Sequence, residues 1–219
     1  MSELLKIDHL SYTCHNNGRE TPVLLDVSFH VMEGEIVSIV GKSGCGKSTL
    51  LSLIAGIHTP DSGSIHICGK DLKASGKSIG YMMQKDNVCD SCKNGSGNSD
   101  CPQEQPESPG NTYVQINGYA KTYGMITFIG TYPNKEATCA RQRITFLRSL
   151  LTEPDLLLLD EPFANLDEKT RAEVSEDMFQ LLRKEKKTVL LATGNMEEAR
   201  RLSDRIIPLD SIKACHIPM

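Results

Sequence analysis

The sequence predicts an α/β fold with a mixed sheet at its core and a smaller antiparallel β region near its N-terminal end. Three observations predict it. A glycine-rich stretch, GKSGCGKST at residues 41–49, sits between a β-branched run and a helical one. Two uninterrupted apolar runs, LLLLD at 156–160 and TVLLAT at 188–193, have the composition of parallel strands covered on both faces. Earlier, residues 4–12 and 24–31 read as strands joined by a polar turn at 16–19, and DVSFHV at 26–31 alternates as on a half-buried sheet.

The glycine-rich stretch contains the spacing G-x-x-x-x-G-K-[ST], as Gly41, Gly46, Lys47 and Ser48. A polyphosphate needs several donors converging on a small volume. A glycine-rich turn curls its N–H groups around the anion because no Cβ blocks the approach. The following helix adds its free N–H groups and the positive end of its dipole. On this reading Gly41, Ser43, Gly44, Cys45, Gly46, Lys47, Ser48 and Thr49 form the nucleotide cradle. Lys47 reaches the terminal phosphates and the Ser48 hydroxyl holds Mg²⁺. The plain alternative is a glycine-rich turn with an incidental lysine. Context opposes it: EIVSIV at 35–40 is a strand run, and STLLSLIA at 48–55 is a helix closed by Gly56.

Further along, TPDSG at 59–63 is a turn signal, SIHIC at 64–68 a short strand, and 69–71 another turn. IGYMM at 79–83 is a strand ending at Gln84. Residues 89–112 contain no Val, Ile, Leu, Met, Phe, Tyr or Trp. Such a stretch cannot bury enough apolar surface to offset its ordering, so it reads as a flexible loop. Residues 141–151 read as a helix stopping before Pro154. Residues 167–183 read as another, with Val174, Met178, Leu181 and Leu182 on one face. Asn195 is placed to cap a further helix, with Glu198 completing a capping-box-like start. RIIPL at 205–209 is a last, edge strand because of Pro208.

Bulk properties bound the function. With 219 residues and a net charge of −4, the chain has no electrostatic footprint of a nucleic-acid binder. The basic run at 183–187 is interrupted by Glu185 and reads as a solvated helix end. No apolar stretch approaches the length of a membrane span, and the start lacks a signal-peptide core. The expected location is the cytoplasm, with membrane association through a partner, and little chain remains for a C-terminal regulatory domain. The eight cysteines are scattered and read as thiols. Cys89, Cys92 and Cys101, with Cys139 distant, lack the four-ligand spacing of a zinc site.

A phosphate loop needs a carboxylate to hold Mg²⁺, at the end of a buried strand expected beside the loop's own strand. Asp160 ends LLLLD and supplies it. Glu161 follows, placed to polarise an attacking water as general base.

With both halves in view, the chain resembles an ATP-binding cassette domain, the nucleotide-binding subunit of a transporter, from about residue 4 to 209. The resemblance rests on GKSGCGKST, on Gln84 in YMMQ, on RQR at 141–143, on LLLLDEPF and on ANLD at 164–167. The runs GKSGCGKSTLLSLIAG and LLLLDEPF look most like importers of the nitrate, sulfonate and taurine type. The resemblance implies one P-loop NTPase domain over 1–219. Its core and β subdomain would occupy about 1–84 and 141–219, and a small helical or partly disordered subdomain about 85–140. It implies ATP and Mg²⁺ as ligands, with Ser48, Gln84 and Asp160 around the metal and Lys47, Gln84 and Glu161 at the chemistry. It implies a homodimer or heterodimer of cassettes, with Asp167 at the interface, peripheral to the membrane on transmembrane permease subunits.

Four departures fall where that family does its nucleotide chemistry. The signature segment, normally LSGGQ, is EATCA at 136–140. There Ala137 has no hydroxyl, Thr138 and Cys139 crowd the backbone's approach to phosphate, and Glu136 adds negative charge. The switch histidine after 188–193 is Gly194. The adenine-stacking aromatic falls at Cys14, with Tyr12 two residues away as a substitute. Residues 89–112 lack the apolar side chains to pack helices against a permease. Losing one well-placed donor costs roughly 10²–10³ in rate, so two losses predict weak turnover. The readings in play are an energising transport ATPase, a non-hydrolysing regulatory half of a heterodimer, and a soluble cassette ATPase without a transporter.

Overall fold

The computed structural model describes residues 2–16, 19–83, 146, 149–150, 153–164 and 166–209. The expectations for Gln84, 85–140, the 136–140 segment, 141–143, Asn165 and the Cys89, Cys92, Cys101 and Cys139 thiols lie outside the described residues. No helix among the described residues is long and apolar enough to cross a membrane.

Two sheets form the fold. The first is antiparallel, in the order β2 (Arg19–Met32), β1 (Glu3–Asn16), β4 (Ser62–Ile67) and β5 (Lys70–Asp71). The opening hairpin is longer than the sequence suggested, because pairing continues to Asn16 opposite Arg19. Bulges absorb the extra length, notably at His9, whose φ is 51°. Gly63 passes so close to this bulge that a Cβ there would stand 2.4 Å from the His9 carbonyl oxygen. The turn expected at 69–71 is made instead by Cys68 and Gly69, both at positive φ, and frees Lys70 and Asp71 to pair with β4.

The second sheet is parallel, in the order β6 (Ile79–Met82), β7 (Leu156–Asp160), β8 (Thr188–Thr193), β3 (Ile36–Val40) and β9 (Arg205–Pro208). β3, β7 and β8 are buried along their whole length, as the uninterrupted apolar runs of β7 and β8 require, and β3 buries Ser38 with its apolar neighbours. β9 lies at the edge of this sheet, where a proline such as Pro208, which has no N–H to donate to a ladder, is tolerated. One expectation is corrected here. β7 does not adjoin β3: β8 pairs with both and separates them.

Alternate residues of the parallel sheet feed two cores. Leu156, Leu158, Leu190, Val37 and Ile39 pack with α1 (Lys47–Ile54) and the antiparallel sheet. Leu157, Leu159, Val189 and Leu191 pack with α2 (Glu168–Lys184), through Val174, Met178, Leu181 and Leu182 as the sequence predicted, and with Leu202 of α3 (Met196–Leu202). Each fully buried leucine contributes about 1.5–3 kcal/mol. The strand ends are thereby fixed, and the groups that end β3, β7 and β8 share one rim.

Candidate nucleotide site

The loop between β3 and α1 turns on two left-handed glycines, Gly44 at φ 78° and Gly46 at φ 106°. Gly46 caps α1 with no side-chain bond, and the first helical hydrogen bond runs from Leu50 N–H to Gly46. The preceding N–H groups of the first turn are thus left without intrahelical partners, as an anion site needs. A side chain at Gly46 would meet Val23 and Leu24 of β2 at 3.0 and 3.1 Å, so the antiparallel sheet backs the loop. Cys45 turns inward: its Sγ would stand 2.5 Å from a Cβ on Gly41.

Lys47 is buried. Its ammonium donates to the carbonyl oxygens of Gly41 at 2.8 Å and Lys42 at 3.2 Å, and pairs with Glu161 Oε1 at 3.1 Å. Three donors meet three acceptors, which compensates the burial of the charge. Glu161 sits just past β7 at φ 45°, anchored by its N–H to the Ala192 carbonyl at 2.9 Å.

Asp160 is buried at the end of β7. Burial pushes its carboxyl up, the Ser48 hydroxyl bond opposes the shift, Glu161 adds to it and Lys47 opposes it. Its Oδ1 has no hydrogen-bond partner among the described residues. An orphaned carboxylate oxygen, with its carboxyl beside a serine hydroxyl, is the donor chemistry a small hard cation takes. Asp160 and Ser48 therefore fit Mg²⁺. When bound, the ion would neutralise phosphate charge.

Thr193 and Gly194 end β8 on the same rim. Gly194 faces the loop: a Cβ there would stand 3.8 Å from the Gly41 carbonyl oxygen. Glu161, Phe163, Ala164, Arg171, Gly194 and Glu198 are among the residues lining a cleft of about 170 Å³ beside it. Asn195 caps α3 as expected, its side chain accepting from Glu197 N–H at 2.9 Å and Glu198 N–H at 3.2 Å. The capping box does not close. Asn195 N–H donates to Thr193 Oγ1 at 3.0 Å, while the buried Glu198 carboxyl bonds Thr193. Burial pushes Glu198 up, against that bond and the attraction of Arg171 and Arg201.

The structure thus brings together Gly41, Ser43, Gly44, Cys45, Gly46, Lys47, Ser48, Thr49, Asp160 and Glu161. Tyr12 is half-buried against the core with its ring 5.7 Å from that of His58. Its β2 partner is Leu24, which abuts Gly46. Sequence reasoning missed Arg171. The available signal was a cation in the first turns of a helix, where the dipole disfavours it.

This geometry, a glycine loop and helix opposed by a buried Asp-Glu pair one strand away, agrees with what comparison with known proteins finds. The sequence matches the ABC transporter family over residues 24–164. The chain belongs to the ABC transporter family. The cassette is 37% identical to the formylaminopyrimidine import ATP-binding protein ThiZ of Halalkalibacterium halodurans, over 100% of this chain and 86% of that one. It is 32% identical to the nitrate import ATP-binding protein NrtD of a Synechocystis species, over 86% of this chain and 71% of that one. Its fold matches the dimeric structure of the ABC transporter cassette MJ0796 with a TM-score of 0.77, 24% identity and 94% of each chain covered. The P-loop NTPase fold and the resemblance to nitrate-type importers are thereby borne out.

Proposed function

We propose that this cassette binds Mg-ATP at residues 41–49 and serves as the ATP-binding subunit of an importer, working as a dimer of cassettes on separate transmembrane permease subunits at the cytoplasmic face of a membrane. The observation that carries the reading is the convergence of Lys47, Ser48 and Asp160, with Asp160 Oδ1 left unpartnered beside an open helix terminus. Lys47 binds the terminal phosphates, Glu161 orients the attacking water, Gln84 contacts metal and water, and Tyr12 stacks on adenine. Solutes of the formylaminopyrimidine or nitrate kind, small and polar, fit the relatives.

Hydrolysis by the chain alone is weak on this reading. Gly194 offers the phosphate site only hydrogen where a donor side chain would stand, and the 136–140 segment lacks its hydroxyl and glycines. Two missing donors cost roughly 10²–10³ each. The second reading, a non-hydrolysing regulatory half of a heterodimer, is favoured by the same gap at Gly194.

The experiment is ATP affinity and steady-state hydrolysis on one purified sample, beside Thr138→Gly/Cys139→Gly/Gly194→His. Binding by both with turnover only in the triple variant supports the reading. Normal turnover by the unaltered chain overturns the impairment, and absence of ATP binding overturns the function.

A further inference from the structure

Glu161 faces Lys47 from a backbone conformation that a glutamate does not favour, so something must hold it there. A non-glycine residue at φ 45° carries a cost of about 1–2 kcal/mol. Upstream, the turn is fastened by the Glu161 N–H bond to Ala192. Downstream, Ala164 N–H donates to the Glu161 carbonyl at 3.2 Å and Leu166 N–H to the Phe163 carbonyl at 3.2 Å. Both of these are local bonds that would travel with the turn. Downstream, a fixed point on another element is Arg171, in the first turn of α2. Its Nε donates to the Phe163 carbonyl at 3.2 Å and its Nη2 to the Leu166 carbonyl at 2.7 Å. Its own N–H is spent inside the helix on Asp167.

A guanidinium suits this task. It is planar, permanently charged and presents several donors in a fixed fork, so it can bridge two carbonyls that an ammonium reaches only one at a time. It sits in the same cleft wall as Glu161, with the buried Glu198 as a third neighbour.

We propose that Arg171 is a positioning residue, which ties the Phe163 and Leu166 carbonyls to α2 and so holds the Glu161 carboxylate against Lys47 at the mouth of the phosphate site. The proposal rests on the reading that residues 41–49 bind ATP. In the nucleotide-free protein the Glu161 carboxylate occupies the lysine that phosphate needs. ATP entry must separate that pair, and Arg171 sets how firmly it is made.

The test is a thermodynamic cycle in ATP affinity, measured by calorimetry with ATP and Mg²⁺ on the full chain. Glu161→Gln should tighten ATP on the order of tenfold, because Lys47 no longer leaves a carboxylate. Arg171→Ala should tighten it about threefold by releasing that carboxylate. Arg171→Lys should do the same, since it keeps the charge and loses the bridge. In the Glu161→Gln background both Arg171 substitutions should change affinity less than twofold. Equal shifts in the two backgrounds, or weakened binding in both, would overturn the proposal. Arg171→Lys carries the cycle if Arg171→Ala does not fold. Absence of ATP binding by every protein, the unaltered one included, would instead sink the nucleotide reading beneath it.

Discussion

Gly194 looks directly onto the phosphate loop, with 3.8 Å between a notional Cβ and the carbonyl oxygen of Gly41. That is ordinary van der Waals contact, so the position tolerates a side chain. Gly194→His should therefore cost less than about 1 kcal/mol and leave the thermal midpoint nearly unchanged. Gly63 is the opposite case. Its φ is +85°, and a Cβ would overlap the carbonyls of both Asp8 and His9. Gly63→Ala should cost about 3 kcal/mol or more, read as a lowered midpoint in the same melts.

Asp160 stores unfavourable energy at neutral pH. Burial raises its carboxyl above the ordinary aspartate value of 3.8. A carboxyl raised in the folded state contributes stability that is complete below the unfolded value and lost as pH rises through the folded one. The ionised group therefore destabilises the free protein near pH 7. Asp160→Asn should raise the melting midpoint there by a few degrees, with a gain on the order of 1–2 kcal/mol for removing a buried negative charge. The gain should shrink as pH falls toward 4. In the same variant ATP affinity should lose its dependence on Mg²⁺, checked by titration with and without the metal.

Lys47 supplies the one buried ammonium at the loop among the described residues. Lys47→Ala should weaken ATP binding by about 10²-fold or more, since it removes a charge-assisted partner of the phosphates and leaves Glu161 to repel them. Fluorescent-nucleotide titration reads this. Retained affinity would place ATP elsewhere.

Asn195 closes α3 through two backbone donors. Asn195→Ala should cost about 1 kcal/mol, a drop of roughly 2–4 °C in the midpoint for a chain of this size.

The parallel sheet was legible because β7 and β8 are buried on both faces, which writes continuous apolar runs into the sequence. The loop was legible because Gly41, where a Cβ would meet Cys45 Sγ, and Gly46, at φ 106°, demand glycine at fixed spacing ahead of Lys47 and Ser48. Strand order was not. The position of β8 between β7 and β3 follows from crossover connections, which leave no mark in residue type. The length of the hairpin was hidden too, since His9 and Asp26 occupy bulges at positive φ without being glycine. Arg171 acts on carbonyls that any residue would supply, so nothing in residues 163–166 announces it.

The strand that carries the phosphate loop has a history written in its neighbours. β3 is flanked by β8 and β9, encoded about 150 and about 170 residues later. On the ribosome, residues 41–49 emerge early, but the parallel frame on either side of β3 does not exist until residues 188–208 have been made. A nascent polypeptide halted before Thr188 has its whole glycine loop and the antiparallel strands that back it, but neither of the strands that flank β3. Nucleotide retention by released chains truncated at increasing length should therefore switch on late and abruptly, once β9 is included.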